Sequence, residues 1–229
     1  MIPWLEVDRA AVPGGNAPAV LRQRGTDFEI RVGPHLLMSS QLHGSEEILA
    51  ERITARLAGR PRGRLLVGGL GMGFTLAAAL RGSSADARVV VAELIPAVVA
   101  WNRGPLAHLA GRPLDDARVT VMEADVVTLY DAPGGPWDAI LLDVDNGPDG
   151  LTRAANSRLY TGMGLAAAHA ALRPGGLLGV WSVDPDLEFT RRLKRAGFRV
   201  EEEVVRARRT KGGRHTLWLA TRPHVLPAR

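Results

Sequence analysis

The sequence predicts an α/β fold in which a doubly wound, mostly parallel sheet ends in an antiparallel hairpin and is preceded by a small β appendage. Three features of the chain predict it. An apolar strand, Arg64-Leu65-Leu66-Val67-Gly68, runs into Gly69-Leu70-Gly71-Met72-Gly73 and then into an alanine-rich helix start. Apolar strands and amphipathic segments alternate after it, as a parallel sheet covered by helices on both faces requires. The chain closes with two strand-like runs, 198–206 and 215–220, around a Gly212-Gly213 turn.

The elements follow in order. Strands are expected at 65–68, 89–92, 119–122, 139–142 and 177–181, with helices at 74–81, 95–109, 157–172 and 186–196. Arg173-Pro174-Gly175-Gly176 stops the third of these helices, since Gly fits the C-cap and Pro cannot continue a helix. Upstream, 28–32 alternates, Gly33-Pro34 turns the chain, and 35–38 returns as a small hairpin. A helix over 45–57 follows, with Ser45 as its expected N-cap, and 59–63 links it to the first sheet strand. The domain reading is therefore a β appendage or lid over 1–44, a Rossmann-like catalytic domain over 45–222 and a tail over 223–229.

With 229 residues and 46% hydrophobic content, the chain can bury the core of one ordinary domain. No apolar run approaches the ~20 residues of a membrane span, and the first residues carry no basic or apolar leader, so a cytoplasmic location is expected. Zero cysteines exclude disulfides, thiolate ligands and a cysteine nucleophile. The net charge is +5, and all but two of the 29 basic side chains are arginines, the exceptions being Lys194 and Lys211. A nucleic-acid partner is not expected: the excess charge is modest and no base-stacking segment is evident. The most basic run, 206–214, reads either as a solvated hairpin tip or as a contact for an anionic group. Six histidines, at 35, 43, 108, 169, 215 and 224, show no ligand-like pairing, and no metal site is expected.

The chemistry is expected at the carboxyl edge of the sheet, where open α/β sheets bind ligands. Gly69, Gly71 and Gly73 remove three Cβ atoms where backbone N–H groups meet a ligand at a helix N-terminus. Glu93, ending the second strand about twenty residues on, can accept both hydroxyl protons of a ribose. Asp125, followed by apolar Val126, can accept from an adenine amino group or cap a helix. Asp143 and Asp145 lie in Asp143-Val144-Asp145-Asn146-Gly147-Pro148. A close carboxylate pair can bind a cationic amine and take its proton; a solvated polar loop is the other reading.

Taken together, the glycine loop, the acidic strand end, Ala124-Asp125 and Leu142-Asp143-Val144-Asp145-Asn146-Gly147-Pro148 resemble the spermidine synthase-like family of the class I S-adenosylmethionine-dependent methyltransferase fold. His43-Gly44-Ser45-Glu46-Glu47-Ile48-Leu49-Ala50 is similar to the family's Tyr-His-Glu-Met-Leu-like helix start. The resemblance spans about 28–222. It implies a seven-stranded sheet with an antiparallel last strand, a homodimer, and an adenosyl sulfonium donor, S-adenosylmethionine or its decarboxylated form. By position it implies that Gly69, Gly71, Gly73, Glu93, Leu94, Asp125 and Val126 hold that donor and that Gln41 reaches it from the lid. It also implies Asp143 as the catalytic acceptor, with Asp145 beside it, and Glu47 and His43 facing a small amine-type substrate.

The chain departs from the family at two places. Aminopropyltransferases carry an aspartate inside the glycine loop and a glutamate just after it, for the free amine of the decarboxylated donor, whereas this loop has Leu70, Gly71 and Met72. An aspartate at 71 would restore such a carboxylate. The family's Tyr-His pair is Ser45-Glu46 here. The functional expectation is a transferase that alkylates an amine-type acceptor, by aminopropyl or methyl transfer. The alternatives are a methyltransferase for another acceptor and a non-catalytic module that binds the adenosyl ligand.

Overall fold

The computed structural model describes residues 2–58, 60–144 and 156–224. The N-terminal part is a four-stranded antiparallel meander: β1 (Leu5–Ala10), β2 (Ala19–Arg24), β3 (Asp27–Val32) and β4 (His35–Ser39), paired in that order. The expected hairpin is its second half, and β1 and β2 extend it. Leu21, Phe28, Ile30 and Val32 form its buried face, whereas β1 is exposed over almost its whole length. That exposure explains why β1 carries no alternation legible in the sequence.

Next comes α1 (Gly44–Arg56), whose N-cap is His43 rather than Ser45. Ser45 is buried instead and accepts a hydrogen bond from Trp181 Nε1 at 3.0 Å. Its hydroxyl also lies within hydrogen-bonding distance of His215 Nδ1, at 2.8 Å, and burial holds that imidazole below its usual pKa. The main sheet follows, with β5 (Arg64–Gly68), α2 (Phe74–Gly82), β6 (Arg88–Glu93), α3 (Pro96–Arg103), β7 (Val119–Glu123) and β8 (Trp137–Leu142). It continues through α4 (Gly162–Ala171), β9 (Leu172–Ser182), α5 (Leu187–Arg195), β10 (Arg199–Arg206) and β11 (Arg214–Thr221). Two helices are shorter than expected. α3 stops at Arg103 because Gly104 and Pro105 cannot extend it. The 157–172 segment divides into a 3₁₀ turn, Asn156–Tyr160, and α4, which Thr161 caps by accepting from Gly164 N at 3.2 Å.

The strand order is β10-β11-β9-β8-β5-β6-β7. β5, β6, β7, β8 and β9 pair in parallel, while β11 runs antiparallel to both β9 and β10, giving the seven-stranded sheet with its terminal hairpin. Side chains alternate between the two faces. Leu65, Val67 and Val89 join Leu49, Ile53, Leu76 and Val98 in one buried cluster, and Leu66, Ile140 and Trp218 join Leu165, Phe189 and Leu193 in the other. Helices therefore cover both faces, and the chain turns opposite ways from β5 to β6 and from β5 to β8. That switch opens a crevice at the carboxyl ends of β5, β6 and β8. Among the described residues, no helix is long and apolar enough to cross a membrane.

The basic hairpin tip after β10 is solvent-exposed, and two of its arginines are engaged within the chain. Arg209 pairs with Glu47 at 3.2 Å and with Glu51, and Arg208 donates to the Gln41 carbonyl at 3.1 Å. The tip therefore ties β10 and β11 to α1 and to the end of the N-terminal sheet.

Candidate active site

A cleft of about 920 Å³, counting its open mouth, lies at the switch point. Its floor is the glycine loop and the ends of β6 and β8; its roof is Ile30, Leu37 and Met38 of the N-terminal sheet. Trp181, at the end of β9, forms part of its wall.

The glycine loop is shaped by positions where only glycine fits. Gly69 has φ of 89°, and a Cβ there would sit 2.3 Å from the Asp143 carbonyl oxygen. The chain leaving β8 thus crosses directly over the loop, and Asp143 N donates to the Gly68 carbonyl at 3.0 Å. Gly71 has φ of 53°, and a Cβ would come within 2.1 Å of Met38 Sδ. An aspartate at 71 would therefore have to displace the Met38 side chain of the roof and hold a left-handed backbone, so restoring the family carboxylate strains this packing. Gly73 has φ of 83° and caps α2 without a side-chain bond. It is not part of the cleft lining. Leu70 and Met72 are buried in the core, and Asn102 Nδ2 fixes the loop by donating to the Gly71 carbonyl at 2.7 Å.

Glu93 is 8% exposed and spans the loop with both oxygens. Oε2 accepts from Leu70 N and Oε1 from Ile95 N, each at 2.9 Å. Burial raises its pKa, and the backbone N–H donors act against that shift. Leu94 and Ile95 line the cleft beside it.

Asp125 lines the cleft with Val126 and also caps a 3₁₀ turn, Val126–Leu129, by accepting from Val127 N at 3.1 Å. The two readings of Asp125, ligand edge and cap, are thus compatible in geometry. Its other oxygen is engaged by Arg158.

Asp143 emerges from β8 into the cleft, where Thr75 Oγ1 of α2 donates to its Oδ2 at 2.5 Å. Burial pushes its pKa up to about 6, and the threonine hydroxyl opposes that shift. Opposite stands Glu46, the third residue of α1, to which the sequence motif assigns no role. Glu46 is 6% exposed, and its Oε2 has no hydrogen-bond partner. Burial first, then the charges of Asp143 and Glu47, drive its pKa well above the usual carboxylate range. Two carboxyls whose charges oppose each other in a poorly solvated site share protons rather than both ionising.

Three further residues expected at the site lie elsewhere. Glu47 is not in the cleft lining and pairs with Arg209 at 3.2 Å and with Arg81 at 3.8 Å. His43 stacks on Phe74 with ring centroids 3.9 Å apart and lies 3.3 Å from Glu47. Gln41 donates to Asp27 and accepts from Arg208, outside the cleft lining. Asp145 lies outside the described residues.

No family model and no curated protein matches this sequence. Solved structures do match. The spermidine synthase from Thermotoga maritima superposes with a TM-score of 0.75 at 17% identity, over 95% of this chain and 72% of that one. A spermidine synthase in complex with the transition-state analogue AdoDATO gives 0.74, again at 17% identity and over 95% and 72%. The O-methyltransferase TomG from Streptomyces achromogenes, in complex with SAM, gives 0.55 at 19% identity, over 79% of this chain and 80% of that one. Together with the sheet order and the antiparallel β11, these likenesses establish that the chain has the spermidine synthase-like form of the class I S-adenosylmethionine-dependent methyltransferase fold.

Proposed function

We propose that the protein is a transferase that binds an adenosyl sulfonium donor on the glycine loop and alkylates a small amine. The observation that carries the reading is the convergence of Gly69, Gly71, Glu93, Asp125 and Asp143 on one cleft at the sheet's switch point. Four of the residues lining it are acidic, and none of its described lining residues is Lys, Arg or His, in a chain whose net charge is +5. An acidic cleft in a basic protein favours cationic ligands, and both a sulfonium and an ammonium are cationic.

The donor supplies an electrophilic carbon and departs as a neutral thioether. The chain's own residues do the rest. Gly69 and Gly71 let the ligand approach the backbone, and Glu93 both braces the loop and presents its remaining lone pairs to a ribose. Asp125 and Val126 meet the base edge. Asp143 orients the acceptor nitrogen and receives its proton, a role suited to a carboxyl with a pKa near 6. Two neighbours hold related ligands: TomG is in complex with SAM, and a spermidine synthase is in complex with the transition-state analogue AdoDATO.

Intact S-adenosylmethionine, whose ammonium has the ligand's own carboxylate beside it, suits the loop better than the decarboxylated form, whose ammonium has none. Leu70 and Met72 point into the core and Gly71 is covered by Met38, so the loop's own side chains offer no carboxylate to an ammonium. The test is incubation of the protein with each donor and a panel of amines, followed by mass spectrometry for the alkylated amine and the thioether. Stoichiometric appearance of both supports the transferase; tight donor binding with no product from any amine supports the binding module instead. In an active pairing, Asp143→Asn should lower turnover by about a hundredfold or more, with donor affinity little changed.

A further inference from the structure

Glu46 is a carboxylate where its own helix gives it no use. It is 6% exposed, its Oε2 lacks a partner, and it faces the cleft rather than the arginines that engage Glu47 and Glu51. A buried, unsatisfied carboxylate is costly, so one that persists at a cleft wall points to a ligand group that completes it. The other acids of the cleft already have partners within the chain. Glu93 serves the Leu70 and Ile95 amides, and Asp125 serves Val127 and Arg158. Among the described residues lining the cleft, only Glu46 and Asp143 form an acidic pair with capacity to spare, and Thr75 takes one oxygen of Asp143. The groups whose charge reaches Glu46 are Asp143 and Glu47, both acidic. The nearby wall is apolar, formed by Ile30, Leu37, Met38 and Trp181.

We propose that Glu46 and Asp143 together seat the ammonium group of the acceptor, and that the acceptor is a primary amine with a single positive charge on an apolar body. The proposal rests on the transferase reading for the direction of attack, but the seat itself is a property of binding. In the empty cleft the two carboxyls share a proton, because both ionised forms would repel in a poorly solvated site. An arriving ammonium takes the place of that proton between them, so binding releases it to solvent. One carboxylate then takes a proton from the ammonium and leaves a nucleophilic nitrogen on the seat. The rest of the molecule lies against the wall of Ile30, Leu37, Met38 and Trp181, whose side chains carry no charge to receive a second ammonium.

The experiment is calorimetric titration at pH 7 of hexylamine, hexanol and 1,6-diaminohexane into the protein, with and without saturating 5′-methylthioadenosine. Running it in phosphate and in HEPES, whose ionisation enthalpies differ, counts protons. Expected are hexylamine binding with release of roughly half to one proton, no detectable hexanol binding, and a diamine no tighter than the monoamine. Glu46→Gln, which keeps shape and removes charge, should weaken hexylamine about tenfold or more and abolish the proton release, leaving 5′-methylthioadenosine unaffected. Hexylamine binding unchanged in Glu46→Gln, hexanol equal to hexylamine, or a diamine about tenfold tighter than the monoamine would overturn the proposal. Weakening of S-adenosylhomocysteine alone, whose tail carries an ammonium, would assign the pair to the donor and overturn it too. The proton count on the unaltered protein needs no variant to fold. Absence of any adenosyl-ligand binding would strike the transferase reading, while the amine titration without it would still test the seat.

Discussion

Thr75 on α2 donates its hydroxyl hydrogen bond to Asp143 Oδ2 at 2.5 Å, so the helix opened by the glycine loop directly tunes the carboxylate proposed to receive the proton. The bond stabilises the ionised form and opposes the upward push of burial. Thr75→Val keeps the shape and removes the donor. The acid limb of the pH–rate profile, set near 6 by Asp143, should move up by about one unit or more, the value of a hydrogen bond to a charged group. Activity at pH 7 falls and recovers toward pH 9. A profile that drops uniformly without shifting would mean that Thr75 supports structure only.

Asp143 also sets a pH dependence of stability. Its folded pKa is raised from 3.8 to about 6, so the native state holds a proton that the unfolded chain has already lost. The contribution of Asp143 to stability is therefore most favourable below pH 4, falls as pH rises to about 6, and stays lower above that. A shift of two units corresponds to about 3 kcal/mol as an upper value, because the proton is shared with Glu46. Asp143→Asn should unfold at a higher denaturant concentration than the unaltered protein at pH 7.5, and the gap should close toward pH 4. A gap independent of pH would show that the carboxyl is not strained by burial.

The two cleft glycines should fail differently. At Gly69 an added Cβ meets the backbone of Asp143, which cannot move without displacing the end of β8; at Gly71 it meets the flexible end of Met38. Gly69→Ala should cost roughly 3 kcal/mol or prevent folding, and Gly71→Ala about 1 to 2 kcal/mol. Adding Met38→Ala to Gly71→Ala should recover part of the loss but do nothing for Gly69→Ala. Urea midpoints of these variants and of the unaltered chain check this, and equal costs at the two positions would contradict the packing described.

Much of the cleft was legible because its residues sit at ends of strands, where local sequence and the handedness of parallel crossovers fix the edge they occupy. Gly69, Gly71, Glu93, Asp125 and Asp143 converge for that reason. Glu46 was missed because resemblance to a family helix start favours Glu47. The helical phase held the signal: Glu46 shares its stripe with Leu49 and Ile53, at spacings of three and seven, and these residues are buried together. Glu47 and Glu51, four apart, share the face that meets Arg209. Long-range pairing set the rest. Ser45 reads as a cap until the fold brings Trp181 and His215 to it, and Gly71 reads as open until β4 lays Met38 across it.

The most direct measurement is calorimetric titration of the protein and of Glu93→Gln with S-adenosylmethionine and S-adenosylhomocysteine. Glu93 holds the glycine loop through Leu70 N and Ile95 N, so replacing one acceptor oxygen with an amide donor should disrupt the loop at the donor site. The account predicts saturable one-to-one binding to the unaltered chain, weakened in Glu93→Gln by about 1.5 to 3 kcal/mol, roughly 10- to 150-fold. Failure of the folded, unaltered chain to bind either compound or their decarboxylated counterparts at millimolar concentration, or equal affinity in Glu93→Gln, would contradict it.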